Sequence, residues 1–311
     1  MITIPIRVCG DIWVNPTEVQ QQLYNTNLTV PIQLDFQAEG PSITAMGIVD
    51  LLDQYCSTTG RSKNTITIIN NSNNVELTTY FNKTPGRSHF FNMGSNYWCD
   101  VPLLDSAYKR FGFFTGRRTM SRAKILYDLW HEFNDQCLLS SLKNTEVDPW
   151  IIPSQGINLE RLEDWVSDQE LFKKWFASCP VKSVDDHSIR DQYVTNPQTN
   201  SDILNFYNQF AVELVSETYT LGDTFFPTEK TVRPLMAAKP IIVYGPKNYL
   251  KRLKDLGFDT YHQCWNESYD QLEGPERWAA IKQLLPTVTL SDVAMDIALH
   301  NRQHLANLIK E

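Results

Sequence analysis

Two acidic residues stand where the chain leaves a strand signal. Asp11 closes Cys9-Gly10-Asp11 after an apolar run over residues 2–8, and Glu39 lies in Gln37-Ala38-Glu39-Gly40-Pro41-Ser42 after the alternating run 29–36. In open α/β sheets ligands bind beyond the carboxyl ends of the strands, so either carboxylate is poised where a ligand would sit. Structural duties compete with that role: Glu39 also suits a helix N-terminus with Ser42 as its cap, and Asp11 suits a turn. A second group is cationic. Arg117, Arg118 and Arg122 follow the strand signal 111–115, where a helix N-terminus meets anions. Their planar forks match phosphate oxygens, a diphosphate above all, and the alternative is a solvated basic turn. Further along, Glu217 sits just past a strand signal at 210–215, Thr228-Glu229-Lys230 opens a helix with Thr228 at its cap, and Gly245-Pro246 turns the chain after an apolar strand. Asp185-Asp186-His187 offers Asp186 for acid–base or metal work, but no second ligand cluster accompanies it, and a surface turn is the better account.

The elements that must position these residues alternate in type. Strands are expected at 2–8, 29–36, 65–69 and 88–93, with helices at 17–24, capped by Thr17, and at 42–55. A second series follows: strand 111–115, helix 121–133, strand 136–142, helix 159–176, strand 210–215, a helix from Thr228 that Pro234 kinks, strand 240–244, helix 249–256 ended by Gly257, a short strand 258–261, and a long helix 290–309. Strands alternating with helices imply mainly parallel sheets covered on both faces. The expected division is 1–105, 106–285 with 145–205 as an insertion, and a final helix in 286–311 that crosses back to the first domain.

Composition narrows the class. A chain of 311 residues holds two domains, and a net charge of −8 argues against a surface wholly given to nucleic acid, though not against a local basic cleft. Six cysteines without CxxC spacing indicate neither a zinc site nor a disulfide framework. The start has no basic leader, and no stretch reaches the ~20 apolar residues of a spanning helix, so the expected setting is cytoplasmic without a membrane span.

Val215-Ser216-Glu217-Thr218, then Phe226-Pro227-Thr228-Glu229-Lys230-Thr231-Val232-Arg233-Pro234-Leu235, then Lys239-Pro240-Ile241-Ile242-Val243-Tyr244-Gly245 resemble the donor motif of α-1,3-fucosyltransferases. The longer pattern through Leu256-Gly257-Phe258 to Ser268-Tyr269-Asp270 is similar to glycosyltransferase-like proteins of phages and environmental bacteria. The resemblance covers about a quarter of the chain. It implies a GT-B fold, two Rossmann-like domains facing a cleft, and inverting transfer from a nucleoside-diphosphate sugar without a metal. It implies Lys230 and an arginine of the 116–118 loop on the diphosphate and Glu229 on the ribose, with Glu217, Thr228, Arg122 and Gly245 around the donor. Glu39 becomes the base, with Asp11 and Asp186 in reserve. The family's helix continues after its Lys with an aromatic and Arg-Asn, where this chain has Thr231-Val232-Arg233-Pro234, so sugar and base specificity do not carry over. The acceptor is a glycan or a hydroxylated or hydroxymethylated base in phage DNA, toward which Lys109, Arg110 and Lys124 add charge. The alternative is a binding protein that keeps the nucleotide-sugar fold without turnover.

Overall fold

The computed structural model describes residues 1–37, 39–72, 82–85, 109–115, 119–141, 157–178 and 206–308, with backbone alone along 82–85 and 157–158. The protein is α/β with two parallel four-stranded sheets. The chain forms two compact units: unit 1 comprises Met1–His89, Ile152–Glu160 and Thr218–Phe226, and unit 2 comprises Phe90–Ile151, Arg161–Glu217 and Pro227–Glu311. Unit 1 therefore takes in two late segments, 152–160 and 218–226, that pattern alone assigns to the C-terminal half. The final helix belongs to unit 2.

In unit 1 the strands β1 (Ile2–Pro5), β3 (Ile32–Asp35), β4 (Ile66–Asn70) and β5 (Asn82–Pro85) lie side by side in chain order. The register sets Ile2, Ile32 and Ile66 abreast, and Ile4, Leu34 and Ile68 abreast. Ile4, Ile32, Leu34, Ile66 and Ile68 are buried under α1 (Pro16–Asn25) and α2 (Ile48–Thr59), which bring Val19, Leu23, Ile48, Leu52 and Tyr55 to the same core. Residues between them, Thr3, Gln33 and Thr67, are abreast on the other face and keep exposure. This sheet thus alternates with period two and buries one face, where full cover on both was expected. A two-residue ribbon, β2 (Ile12–Trp13) antiparallel to β8 (Ile157–Asn158), joins the late segment 152–160 to this unit.

Local chemistry moves several boundaries. Gly47, at φ 70°, breaks the helix expected from residue 42, and α2 begins at Ile48. Asn15, not Thr17, stands at the α1 N-cap, with Pro16 in the first turn. The expected 159–176 helix is split into α4 (Leu162–Trp165) and α5 (Gln169–Ala177), because Asp168 starts a new helix by accepting the Leu171 N–H at 2.9 Å. The expected strand at 88–93 lies outside the described residues.

Unit 2 has the order β10 (Ile241–Tyr244), β9 (Phe210–Ser216), β6 (Lys109–Thr115), β7 (Cys137–Ser141). The chain steps from β6 through α3 (Met120–Phe133) to β7 on one side, then returns to β9 on the other and passes through α6 (Glu229–Met236) to β10. Right-handed crossovers in opposite directions put α3 and α6 on opposite faces. α3 packs with α8 (Gly274–Leu284), tied by the Trp278 indole donating to Asp128 at 2.8 Å, and α6 packs with α9 (Asp292–Leu308). Every residue of β9 and β10 is buried, as a sheet covered on both faces requires. α7 (Tyr249–Asp255) ends at Gly257, whose φ is 93°. The strand expected at 258–261 is absent: Asn301 of α9 accepts the Asp259 N–H at 2.8 Å and donates to the Asp259 carbonyl at 2.9 Å, taking the place of a neighbouring strand. Among the described residues no helix is long and apolar enough to cross a membrane.

Candidate functional site

The strand order of unit 2 reverses between β6 and β9, and the crevice beyond their carboxyl ends is where doubly wound sheets bind ligands. α3 starts there, capped by the Thr119 hydroxyl, which accepts the Arg122 N–H. Arg122 is buried and turns back over the end of β9, donating from its guanidinium to the carbonyls of Ser216 at 3.1 Å and Glu217 at 2.7 Å. Arg122 thereby pins the strand end. Arg117 and Arg118 lie outside the described residues, as does Asp186.

Glu217 is fully buried and its carboxylate is spoken for. Oε1 accepts from the Thr228 N–H at 3.2 Å, the Thr231 hydroxyl at 2.5 Å and the Tyr249 hydroxyl at 2.9 Å, while Oε2 accepts the Thr228 hydroxyl at 2.6 Å. A carboxylate at the first turn of α6 satisfies donors that have no partner within the helix and matches the positive end of its dipole. Glu217 therefore sets where Thr228-Glu229-Lys230 stand. Burial and then the Glu217 charge push the Tyr249 hydroxyl well above its ordinary range, which keeps it a donor. Thr231 and Tyr249 were missed from the sequence; the Thr-x-x-Thr spacing at 228 and 231 was the available signal, whereas Tyr249 is brought in from 32 residues away.

Glu229 and Lys230 are ion-paired and partly exposed. Burial opposes ionisation of Glu229, but the charge and hydrogen bond of Lys230, with a further pull from Arg122, bring its carboxyl below the usual range. Lys230 also lies 3.4 Å from the Thr228 hydroxyl. One anionic and one cationic group thus stand together at the reversal point of the sheet. Gly245 follows β10, and a Cβ there would meet Val243 at an ordinary 3.4 Å, so the position does not demand glycine for space.

The same pattern recurs one strand over. Asp270 accepts the N–H groups of Leu250 at 3.0 Å and Lys251 at 3.2 Å, filling the first turn of α7, and pairs with the wholly buried Arg277 at 2.9 Å. Arg277 also donates to the carbonyls of Val243 and Pro246.

The carboxylates of unit 1 gather at its strand ends, around the segment 218–226. Asp11 Oδ2 accepts the Thr220 N–H at 3.0 Å and its hydroxyl at 2.7 Å. Burial, then the charge of Glu160, push Asp11 up to about 7, against hydrogen bonds from Thr220 and Leu221. Glu39 stays half-exposed and accepts a short hydrogen bond from the Tyr219 hydroxyl. The Thr224 hydroxyl donates to the Gly40 carbonyl at 2.6 Å, and the Phe225 N–H donates to the Ser72 hydroxyl at 3.0 Å. A Cβ on Gly40 would lie 2.6 Å from the Phe226 ring, so glycine is required for that close approach. Ser42 accepts the Ala45 N–H at 3.1 Å, capping a turn instead of a helix. Tyr219 and Glu160 were not foreseen; neither carries a local motif.

Comparison with protein-family models, curated proteins and solved structures finds no match to this chain.

Proposed function

We propose that unit 2 binds the diphosphate of a nucleotide sugar at the carboxyl ends of β6 and β9, and that the chain is an inverting, metal-independent glycosyltransferase of GT-B type. The observation that carries the reading is the coincidence of two independent features. The motif resembling the α-1,3-fucosyltransferase donor site falls at the strand-order reversal of a doubly wound sheet, with Lys230 and Glu229 partly exposed there. Lys230 contacts the diphosphate and Glu229 the ribose hydroxyls. Arg122 and Glu217 hold the frame from behind, and Arg117 and Arg118 supply further positive charge. A fixed cation stabilises the charge that grows on a departing nucleoside diphosphate. Glu39, half-exposed at a strand end, takes the proton of the acceptor hydroxyl, which belongs to a glycan or to a hydroxylated or hydroxymethylated DNA base. Asp11 is buried and committed to Thr220, which favours Glu39 over it as the base.

The test is thermal-shift binding with a panel of nucleoside diphosphates. A ligand at 100 times its Kd adds ~2.7 kcal/mol of stability. K230A should weaken the bound diphosphate by ~2 kcal/mol. E39Q should keep that binding and lose sugar transfer. Absence of a shift with any diphosphate overturns the donor assignment. Diphosphate binding without turnover of any nucleotide sugar favours the non-catalytic reading.

A further inference from the structure

Two helix starts of unit 2 are joined by one phenol. α6 carries Glu229 and Lys230 in its first turn, and α7 opens with Tyr249. The Tyr249 hydroxyl reaches from the second helix to the first. It lies 2.9 Å from Glu217 Oε1 and 2.9 Å from the Thr231 hydroxyl, and Thr231 donates to the same Glu217 oxygen at 2.5 Å. Tyr249 and Thr231 are wholly buried, in surroundings where hydrogen bonds are stronger than in water. The chain of contacts continues toward Lys230. Glu217 Oε2 accepts the Thr228 hydroxyl at 2.6 Å, and the Thr228 oxygen lies 3.4 Å from both the backbone nitrogen and the ammonium of Lys230. Tyr249 itself is held from the far side. Asp270 accepts the N–H groups of Leu250 and Lys251 through its carboxylate and that of Asn248, at 2.8 Å, through its carbonyl. Arg277 ties Asp270 to the carbonyls of Val243 and Pro246 ahead of the helix. The Tyr249 ring lies against Gly245, where a Cβ would stand 3.5 Å from it.

We propose that Tyr249 is a positioning residue of the donor site: its hydroxyl joins the start of α7 to the first turn of α6 and, through Glu217 and Thr228, sets where Lys230 meets a diphosphate. The inference rests on the donor reading above and adds to it a buried residue that acts through others. Residues of one hydrogen-bonded network are energetically coupled, so removing the Tyr249 hydroxyl costs binding in proportion to what Lys230 contributes. A residue that only stabilises the fold has no such coupling to Lys230.

The experiment is calorimetric titration of the full-length protein with ADP, CDP, GDP and UDP, in wild type, Y249F, K230A and the double variant. Y249F keeps the ring and removes the hydroxyl. It should raise the Kd of the tightest diphosphate about three- to thirtyfold, and by a much smaller factor in the K230A background. T231V, which removes the hydroxyl that Tyr249 meets, should bind as Y249F does, and T231S should bind as wild type does. If Y249F does not fold, T231V against T231S carries the comparison. Equal Kd in wild type and Y249F, or the same fold loss with and without Lys230, overturns the positioning role and leaves the donor reading standing. A wild type that binds none of the four overturns the donor reading, and this inference with it.

Discussion

Unit 1 and unit 2 both build a parallel four-stranded sheet, yet the described residues at their strand ends are engaged differently. The unit 1 strands run in chain order, bury one face, and have their carboxyl ends occupied by the protein's own segment 218–226, gripped by Asp11, Glu39, Gly40 and Ser72. The unit 2 strands reverse order, bury both faces, and present Glu229 and Lys230 at the reversal. The difference separates two uses of a strand end. A carboxylate there is a catalytic candidate only when its oxygens are not already bound to backbone and hydroxyl donors of its own chain. Glu217, Asp270 and Asp11 fail that condition, and Glu39 meets it in part.

The largest expected effect is at the outer strand of unit 2. R277M removes donors from the Val243 and Pro246 carbonyls and leaves Asp270 buried without its cation, which costs about 3–5 kcal/mol in urea unfolding. If the units are energetically distinct, a second transition belonging to unit 1 stays in place; a single shifted transition would show that they unfold together. Alanine substitution on alternate positions sharpens the contrast in sheet cover. In unit 2, L214A should cost about 2–5 kcal/mol, and its neighbour V215A, on the other face, should cost a clear fraction of that. In unit 1, I68A should cost about 2–5 kcal/mol while T67A stays within about 0.5 kcal/mol. Equal costs at 67 and 68 would mean that the second face of unit 1 is covered after all. The smallest effect is a slope. Burial pulls the Lys239 ammonium down to about 7 against the opposing charge of Glu213. The folded state then binds fewer protons than the unfolded one from pH 7 upward, so stability rises from there toward the ordinary lysine range. K239M removes the ionisation, and the stability of wild type minus that of K239M should increase between pH 7 and 10 in chemical unfolding.

How far the sequence could be read follows the range of the interactions. Strand β10 announces itself as a continuous apolar run, β9 as one interrupted only by Glu213 before its end, and α3 by its period, because their signals lie within a few residues. The order reversal, by contrast, depends on β9 pairing with β6 about a hundred residues earlier, which no local pattern carries. The same holds for the two-residue ribbon of β2 and β8 and for the placing of 218–226 in unit 1. Thr228 was legible as a cap; that Glu217 would supply the anion for the same helix was not, since it needs Tyr249 and Thr231 to close around it. Glu39 was legible as a carboxylate at a strand end, but its Tyr219 partner is 180 residues away.

The discontinuous make-up of unit 1 bears on synthesis. Its first strands leave the ribosome early, but Thr220, Thr224 and Phe225, which bind Asp11, Gly40 and Ser72, follow more than 140 residues later. Unit 2 waits longer still, since Asn301 supplies the backbone partners of Asp259. Neither unit can be completed from a nascent chain that stops before its own last segment. A stalled chain ending near residue 215 therefore lacks the segment that binds the strand ends of unit 1, and such partly folded states are prone to aggregate.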